Sequence, residues 1–254
     1  MSLHDSRDAI EQFYGDDILK HFPNYEAFWR QFIGNPNSEK PVPYEYVFPS
    51  NMNSAEVSFI RKHYERIQIA HYSIFCQLAG AHFQLSKLQE SGVLKDPREK
   101  YFKHWEHFEA GYLHLGSVFY LLEELWNIVI RLKGSSRHKF SEEFLGSMKK
   151  DKLALRLETT RKNVKTMRDL VVHRGRAFTS FLHKGKFYIP LEVDMSMVWS
   201  QYIAVQEFIE TTEKLYEDIT EVEELLNDLH AFLISEYTDF IKTKNIHIDY
   251  EMRK

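Results

Sequence analysis

Between Ser54 and Leu132 the chain holds one proline, Pro97, and the stretches on either side of it carry apolar residues at helical spacing. In the first, Val57, Ile60, Tyr64, Ile67, Tyr72, Phe75 and Leu78 recur every three to five residues, and Gly92 supplies a stop. In the second, Asp96 is placed to cap and Pro97 to occupy the first helical position, with Gly134 closing a helix that runs to Leu132. At the standard rise each helix is about fifty ångströms long, and helices of that length are stable mainly by lying side by side. The spacing therefore predicts an antiparallel pair at the centre of a bundle.

The remaining segments add to that frame. Lys152–Val172 places Leu153, Leu157, Thr160, Val164, Met167 and Val171 at alternating steps of four and three, which is one stripe of a helix. Ser141 caps a short helix through Lys150. The runs AFTSFL and FYIPLEV flank Lys184-Gly185, which predicts a small β-hairpin near 177–193. A long helical region capped by Asp194 or Ser196, broken near Thr211–Thr212 or Asn227, reaches Lys244. Upstream, short helices are expected over Leu3–Phe13 and Tyr25–Ile33, the latter capped by Asn24. Residues 34–50 carry four prolines and read as an irregular surface connection. The expected fold is all-α: a bundle of long antiparallel helices with one minor hairpin, a single domain over 1–254. Residues 1–50 form its N-terminal helices and connection, and residues 51–254 its bundle.

Composition excludes several classes. The one cysteine, Cys76, sits in the apolar run SIFCQLAG and cannot form an internal disulfide. No run approaches the eighteen apolar residues that span a bilayer, and the first residues lack the apolar core of a signal peptide. These features lead to the expectation of a cytoplasmic protein without a membrane partner. No glycine-rich phosphate loop, nucleophile elbow or CxxC pair is found in the sequence.

Charge is distributed unevenly. The whole chain carries −4, yet residues 131–186 hold sixteen Lys or Arg against five acids, and 190–254 hold fifteen acids against five bases. A basic block in an acidic protein is either a footprint for a polyanion such as RNA or the partner of acidic helices in the same or another chain.

Inside the basic block lies Arg168-Asp169-Leu-Val-Val-His173-Arg174-Gly-Arg176. Cleavage of RNA by its own 2′-hydroxyl needs no metal where a cation stabilises the charged phosphorane and a group of near-neutral pKa moves protons. Arginine presents a permanent fork of donors to phosphate oxygens, and histidine exchanges protons near neutrality. Arg161, Lys162, Lys165, Arg174 and Arg176 flank the pair and would hold a nucleic-acid backbone. The spacing recurs at Arg66–His71, but there Ile67 follows the arginine and the basic setting is missing. Five residues of helix rotate by about 140°, so Arg168 and His173 converge only at a helix end or across a second subunit.

The Arg, polar residue, three residues, His pattern resembles the signature of the HEPN superfamily (higher eukaryotes and prokaryotes nucleotide-binding). The resemblance implies a helical bundle in which two motifs meet across a homodimer and cleave RNA without a metal or other cofactor. It further implies that Arg168 binds the scissile phosphate, Asp169 orients its neighbours and His173 transfers protons. A defence or toxin role, with a protein antitoxin or regulator, belongs to the same expectation. The alternative is a non-catalytic helical module that binds RNA, a nucleotide or a protein.

Two further constellations stand outside the motif. Tyr120, Glu123, Asn127 and Arg131 share one stripe of the second long helix and are candidates to support the site. His104, His107 and His114 share a face with Glu106 and Glu109 nearby, but without the spacing of known helical metal sites, so no metal is expected.

Overall fold

The structure, a computed structural model, describes residues 22–24, 45–132, 152–173, 181–190 and 208–249. The first long helix, α1 (Ser54–Ser91), begins where the sequence places it. Its start is fixed by a capping box: Glu56 N–H donates to Asn53 Oδ1 at 2.9 Å while Asn53 N–H reaches Glu56 Oε2 at 3.3 Å. It closes in a tightened turn, with Gly92 N–H on Gln89 O and Val93 N–H on Glu90 O, and Lys100 covers the Gly92 carbonyl. Helix α2 (Pro97–Leu132) follows, with Arg98 N–H on Asp96 Oδ1 at 2.8 Å confirming the cap. Helix α3 spans Lys152–His173 and α4 spans Thr211–Thr243. The fold is all-α, and the described residues form four long helices and two small sheets.

Contacts divide these helices between two compact units. The first is built from 1–76, 119–158 and 223–254, the second from 77–118 and 159–222. In the first, Ile60, Ile67 and Ile74 of α1, Leu122, Leu125 and Ile128 of α2, and Leu225, Leu226 and Leu229 of α4 are buried. Arg66 bonds Glu124 at 2.6 Å, and Arg156 forks onto Glu224 at 2.6 Å and Asp228 at 2.8 Å. Part of the basic block is thus neutralised by the acidic C-terminal helix. In the second unit, His114 meets Gln77, His107 meets Gln84 and His104 meets Ser91. Residues rising along one helix pair with residues falling along the other, so α1 and α2 run antiparallel there. Tyr112, fully buried, donates to Asp218 Oδ2 at 2.6 Å, and Lys214 donates to the other oxygen at 2.7 Å.

The hairpin forms as expected, β2 (Phe181–His183) against β3 (Lys186–Pro190). Lys184 and Gly185 take φ of 49° and 82°, the pair of left-handed residues that a two-residue type I′ turn requires. A third strand, β4 (Phe208–Glu210), pairs antiparallel with β3. Asp194 and Ser196, the expected caps of the C-terminal helical region, lie outside the described residues, and the strand at Phe208–Glu210 precedes the helix described there. The described helix starts at Thr211, because Glu210 turns its carboxylate back onto the first free N–H groups, and it continues unbroken past Asn227. Its end is a Schellman turn: Asn245 takes φ of 51° and Ile246 N–H donates to Ile241 O at 3.0 Å.

That turn sends the chain into β5 (His247–Asp249), which pairs antiparallel with β1 (Glu45–Val47). Residues 34–50 are therefore not irregular throughout, since β-prone Tyr46 and Val47 find a partner strand far along the sequence. Asn24 is likewise no cap. Pro23 and Asn24 are already helical, and Asn24 exchanges two hydrogen bonds with Asn227. The expected helices over 3–13, 25–33 and 141–150 lie outside the described residues. Among the described residues no helix is long and apolar enough to cross a membrane.

The first unit also buries two histidines face to face. His71 and His230 stack at 5.0 Å between ring centroids, with Phe75 beyond His230. Burial pushes His71 from 6.5 down to about 4 and His230 well below its ordinary value. Above pH 6.5 both states are neutral and the pair costs nothing. Below it, the unfolded chain takes up protons that the core excludes, so stability falls as pH falls, until His71 also protonates near 4. His71 alone contributes a slope of about 1.4 kcal/mol per pH unit in that window. We expect urea midpoints to drop between pH 6.5 and 4.5 and the drop to be shallower in His71→Phe; an identical slope in the variant would contradict this origin.

Candidate functional site

Within the second unit, the residues of α3 from Thr159 onward carry the basic motif. Arg161, Lys165 and Arg168 are spaced four and three and so share one stripe, with Lys162 beside it. Lys162 and Lys165 are exposed and Arg161 is half-buried. None of these three has a salt-bridge partner among the described residues. Arg168 differs. Its guanidinium donates to Asp169 Oδ1 from Nη2 at 2.8 Å and from Nε at 3.2 Å, both side chains about one-third exposed. Two donors on one oxygen fix the plane of the guanidinium and leave its Nη1 face for another acceptor.

The stem of Arg168 lies across Gly116 of α2. A Cβ there would stand 3.2 Å from Arg168 Cδ, tighter than ordinary contact. A residue without a side chain at 116 lets the arginine pass close to the helix backbone. Helix α3 ends at His173, which satisfies the demand that the motif lie at a helix end. The side chain of His173, and Arg174 and Arg176 entirely, lie outside the described residues. The proposed support residues fall in the first unit and differ widely: Tyr120 is 71% exposed, Glu123 half-buried and Asn127 buried at 2%. Asn127 Oδ1 has no hydrogen-bond partner among the described residues. The side chain of Arg131 also lies outside them.

The histidine face separates into individual pairs with neutral partners. His107 Nδ1 lies 2.9 Å from Gln84 Oε1 and His114 Nδ1 lies 2.8 Å from Gln77 Oε1. Burial lowers the pKa of both rings. Among the described residues no group of three or more His, Cys, Asp or Glu is arranged to hold a metal.

His104 belongs to a different arrangement, one the sequence did not announce. It is buried, stacked on Phe187 at 4.0 Å, with Nδ1 3.0 Å from Ser91 Oγ and Nε2 2.6 Å from Thr211 Oγ1. Ser91 also donates to Leu88 O, and Thr211 to Phe187 O at 3.2 Å. Either ring tautomer is therefore satisfied: the chain of hydroxyls runs toward Leu88 in one and toward Phe187 in the other. Burial, helped by the charges of Lys100 and His107, pushes His104 down to about 3, so the ring is neutral at physiological pH.

Beside this knot opens a cleft of about 350 Å³. The end of α1 gives Leu88, Gln89 and Gly92; the hairpin gives Gly185, Lys186 and Phe187; the start of α4 gives Glu210, Glu213 and Tyr216. Glu210 accepts from Thr212 N–H at 3.1 Å and from Glu213 N–H at 2.7 Å, so the helix N-terminus is already occupied by a carboxylate. No periodic signal could have located this cleft, because its walls come from three separate segments, the end of α1 with His104 of α2, the hairpin, and the start of α4. The motif residues Arg168, Asp169 and His173 are not among its walls.

Compared with known protein families, curated proteins and solved structures, the chain matches none.

Replacing Gly116 with Ala sets two effects against each other. Helix propensity gains about 1 kcal/mol, while the new methyl group displaces the flexible arginine stem. We expect the thermal midpoint of Gly116→Ala to stay within a few degrees of the parent while the Arg168 Nε–H resonance shifts. An unmoved resonance would show that Arg168 does not lie over residue 116.

Proposed function

We propose that the protein is a HEPN-like, metal-independent endoribonuclease that acts as a homodimer. The observation that supports this reading best is the row Arg161, Lys165 and Arg168, leading along α3 to a helix end at His173. The first two offer charge to a phosphate backbone, and Arg168 is held in plane by Asp169. In this mechanism Arg168 stabilises the negative charge that gathers on the phosphorane oxygens. His173 takes the proton from the attacking 2′-hydroxyl or returns one to the departing 5′-oxygen. The 2′-hydroxyl requirement makes RNA the substrate and leaves DNA intact. Asp169 is a positioning residue, since its contact is with the arginine.

A second reading rests on the same contact. Arg168 already has an acceptor within its own chain, as expected of a module that binds RNA without cutting it. The two readings separate on one experiment. RNA incubated with the full chain in EDTA is cleaved under the first, and cleavage falls at least a hundredfold in Arg168→Ala and in His173→Ala with helicity unchanged. Binding without cleavage, insensitive to His173→Ala, would favour the second.

Both readings require the free cations of α3 to face a polyanion. Each phosphate contact on single-stranded RNA contributes a slope of about −0.7 to the plot of log affinity against log salt. Replacing Arg161, Lys162 and Lys165 together with Ala is expected to flatten that slope by about 2. An unchanged slope would remove these residues from the interface.

A further inference from the structure

The cleft of the second unit has an unusual charge pattern. Two of its polar walls are fully engaged: Glu210 by two backbone N–H groups and His104 by Ser91 and Thr211. His104 therefore offers a neutral ring surface and no charge. Lys186 and Glu213 are different. Both are exposed, both line the same cleft, and neither has a salt-bridge partner among the described residues. Opposite charges on one cleft that do not meet leave a cation and an anion for something between them. The floor is apolar, made by Leu88 and the buried Phe187, and Tyr216, 57% exposed, stands on the wall.

We propose that this cleft binds a zwitterionic aromatic α-amino acid, its carboxylate on Lys186, its ammonium on Glu213 and its ring against Phe187 and Tyr216. At about 350 Å³ the space lies at the small end of ligand sites, which run from roughly 300 to 1,000 Å³. The positive end of α4 is compensated by Glu210, so a ligand carrying only negative charge gains little there beyond Lys186, and it meets Glu213 unpaired. A ligand carrying only positive charge meets Lys186 in the same way. Both charges on one small molecule satisfy both walls, and specificity then comes from leaving a wall unpaired with the wrong ligand. The proposal is independent of the RNA reading, because the motif residues do not line the cleft.

The test is titration of the full-length protein by calorimetry with L-phenylalanine, 3-phenylpropionate and 2-phenylethylamine. These probes share the ring and differ only in which charges they carry. L-phenylalanine is expected to bind at least tenfold more tightly than either analogue. Lys186→Met is expected to bring L-phenylalanine down to the level of 2-phenylethylamine, and Glu213→Gln to the level of 3-phenylpropionate. Both positions are exposed, and unchanged circular dichroism checks that the variants fold. Failure of L-phenylalanine to bind at millimolar concentration, equal binding of all three probes, or binding insensitive to both substitutions would overturn the proposal. RNA cleavage or binding measured alongside is not expected to change in either variant, so the two readings fail separately.

Discussion

In the second unit, burial of His104 is the interaction on which the surrounding geometry depends. An imidazole buried at 4% exposure must find partners for both nitrogens, and it finds them on Ser91 at the end of α1 and Thr211 at the start of α4. Phe187 of β3 covers its face. One side chain of α2 thus ties together two other helices and the small sheet. The same junction sets where α4 begins, because Thr211 is its first residue and Glu210 its cap. The cleft is the space that remains beside this knot. Lys186 and Glu213 on its walls are exposed and without a salt-bridge partner among the described residues, whereas Glu210 is buried and engaged.

The same economy of polar groups appears elsewhere. Tyr112 and Lys214 share the two oxygens of the buried Asp218, and Thr160 donates to Glu221 at 3.1 Å. In the first unit the corresponding core element is the His71–His230 stack, held neutral by burial. Each unit therefore has a core that includes histidine, and in each the ring tolerates burial only while it carries no charge.

On α3 the two halves of the basic helix do different things. Arg156, in the first unit, is consumed by Glu224 and Asp228. From Arg161 onward, in the second, Arg161, Lys162 and Lys165 have no salt-bridge partner among the described residues, and Arg168 meets its own neighbour Asp169. Of the two readings open in the composition, internal neutralisation is shown for Arg156. A close passage over Gly116 fixes the path of Arg168 and joins the motif to α2.

Much of this was readable in the sequence. Helical spacing and the punctuation of Asp96, Pro97 and Gly92 determined both long helices, because capping and backbone restriction act within a few residues. Leu157, Thr160, Val164 and Met167 are buried on α3 as their spacing required, and Lys184-Gly185 determined the turn through φ alone. The strands at Glu45–Val47 and Phe208–Glu210 could not be read this way. A three-residue strand has little periodicity, and its stability comes from partners at His247–Asp249 and Lys186–Pro190. For the same reason the motif was visible as Arg168, Asp169 and His173 in one run, whereas the meeting of Gln89, Lys186 and Glu213 around His104 was not. Local sequence determines what a segment prefers to be; only packing decides which distant side chains share a cleft and which charges are left without a partner.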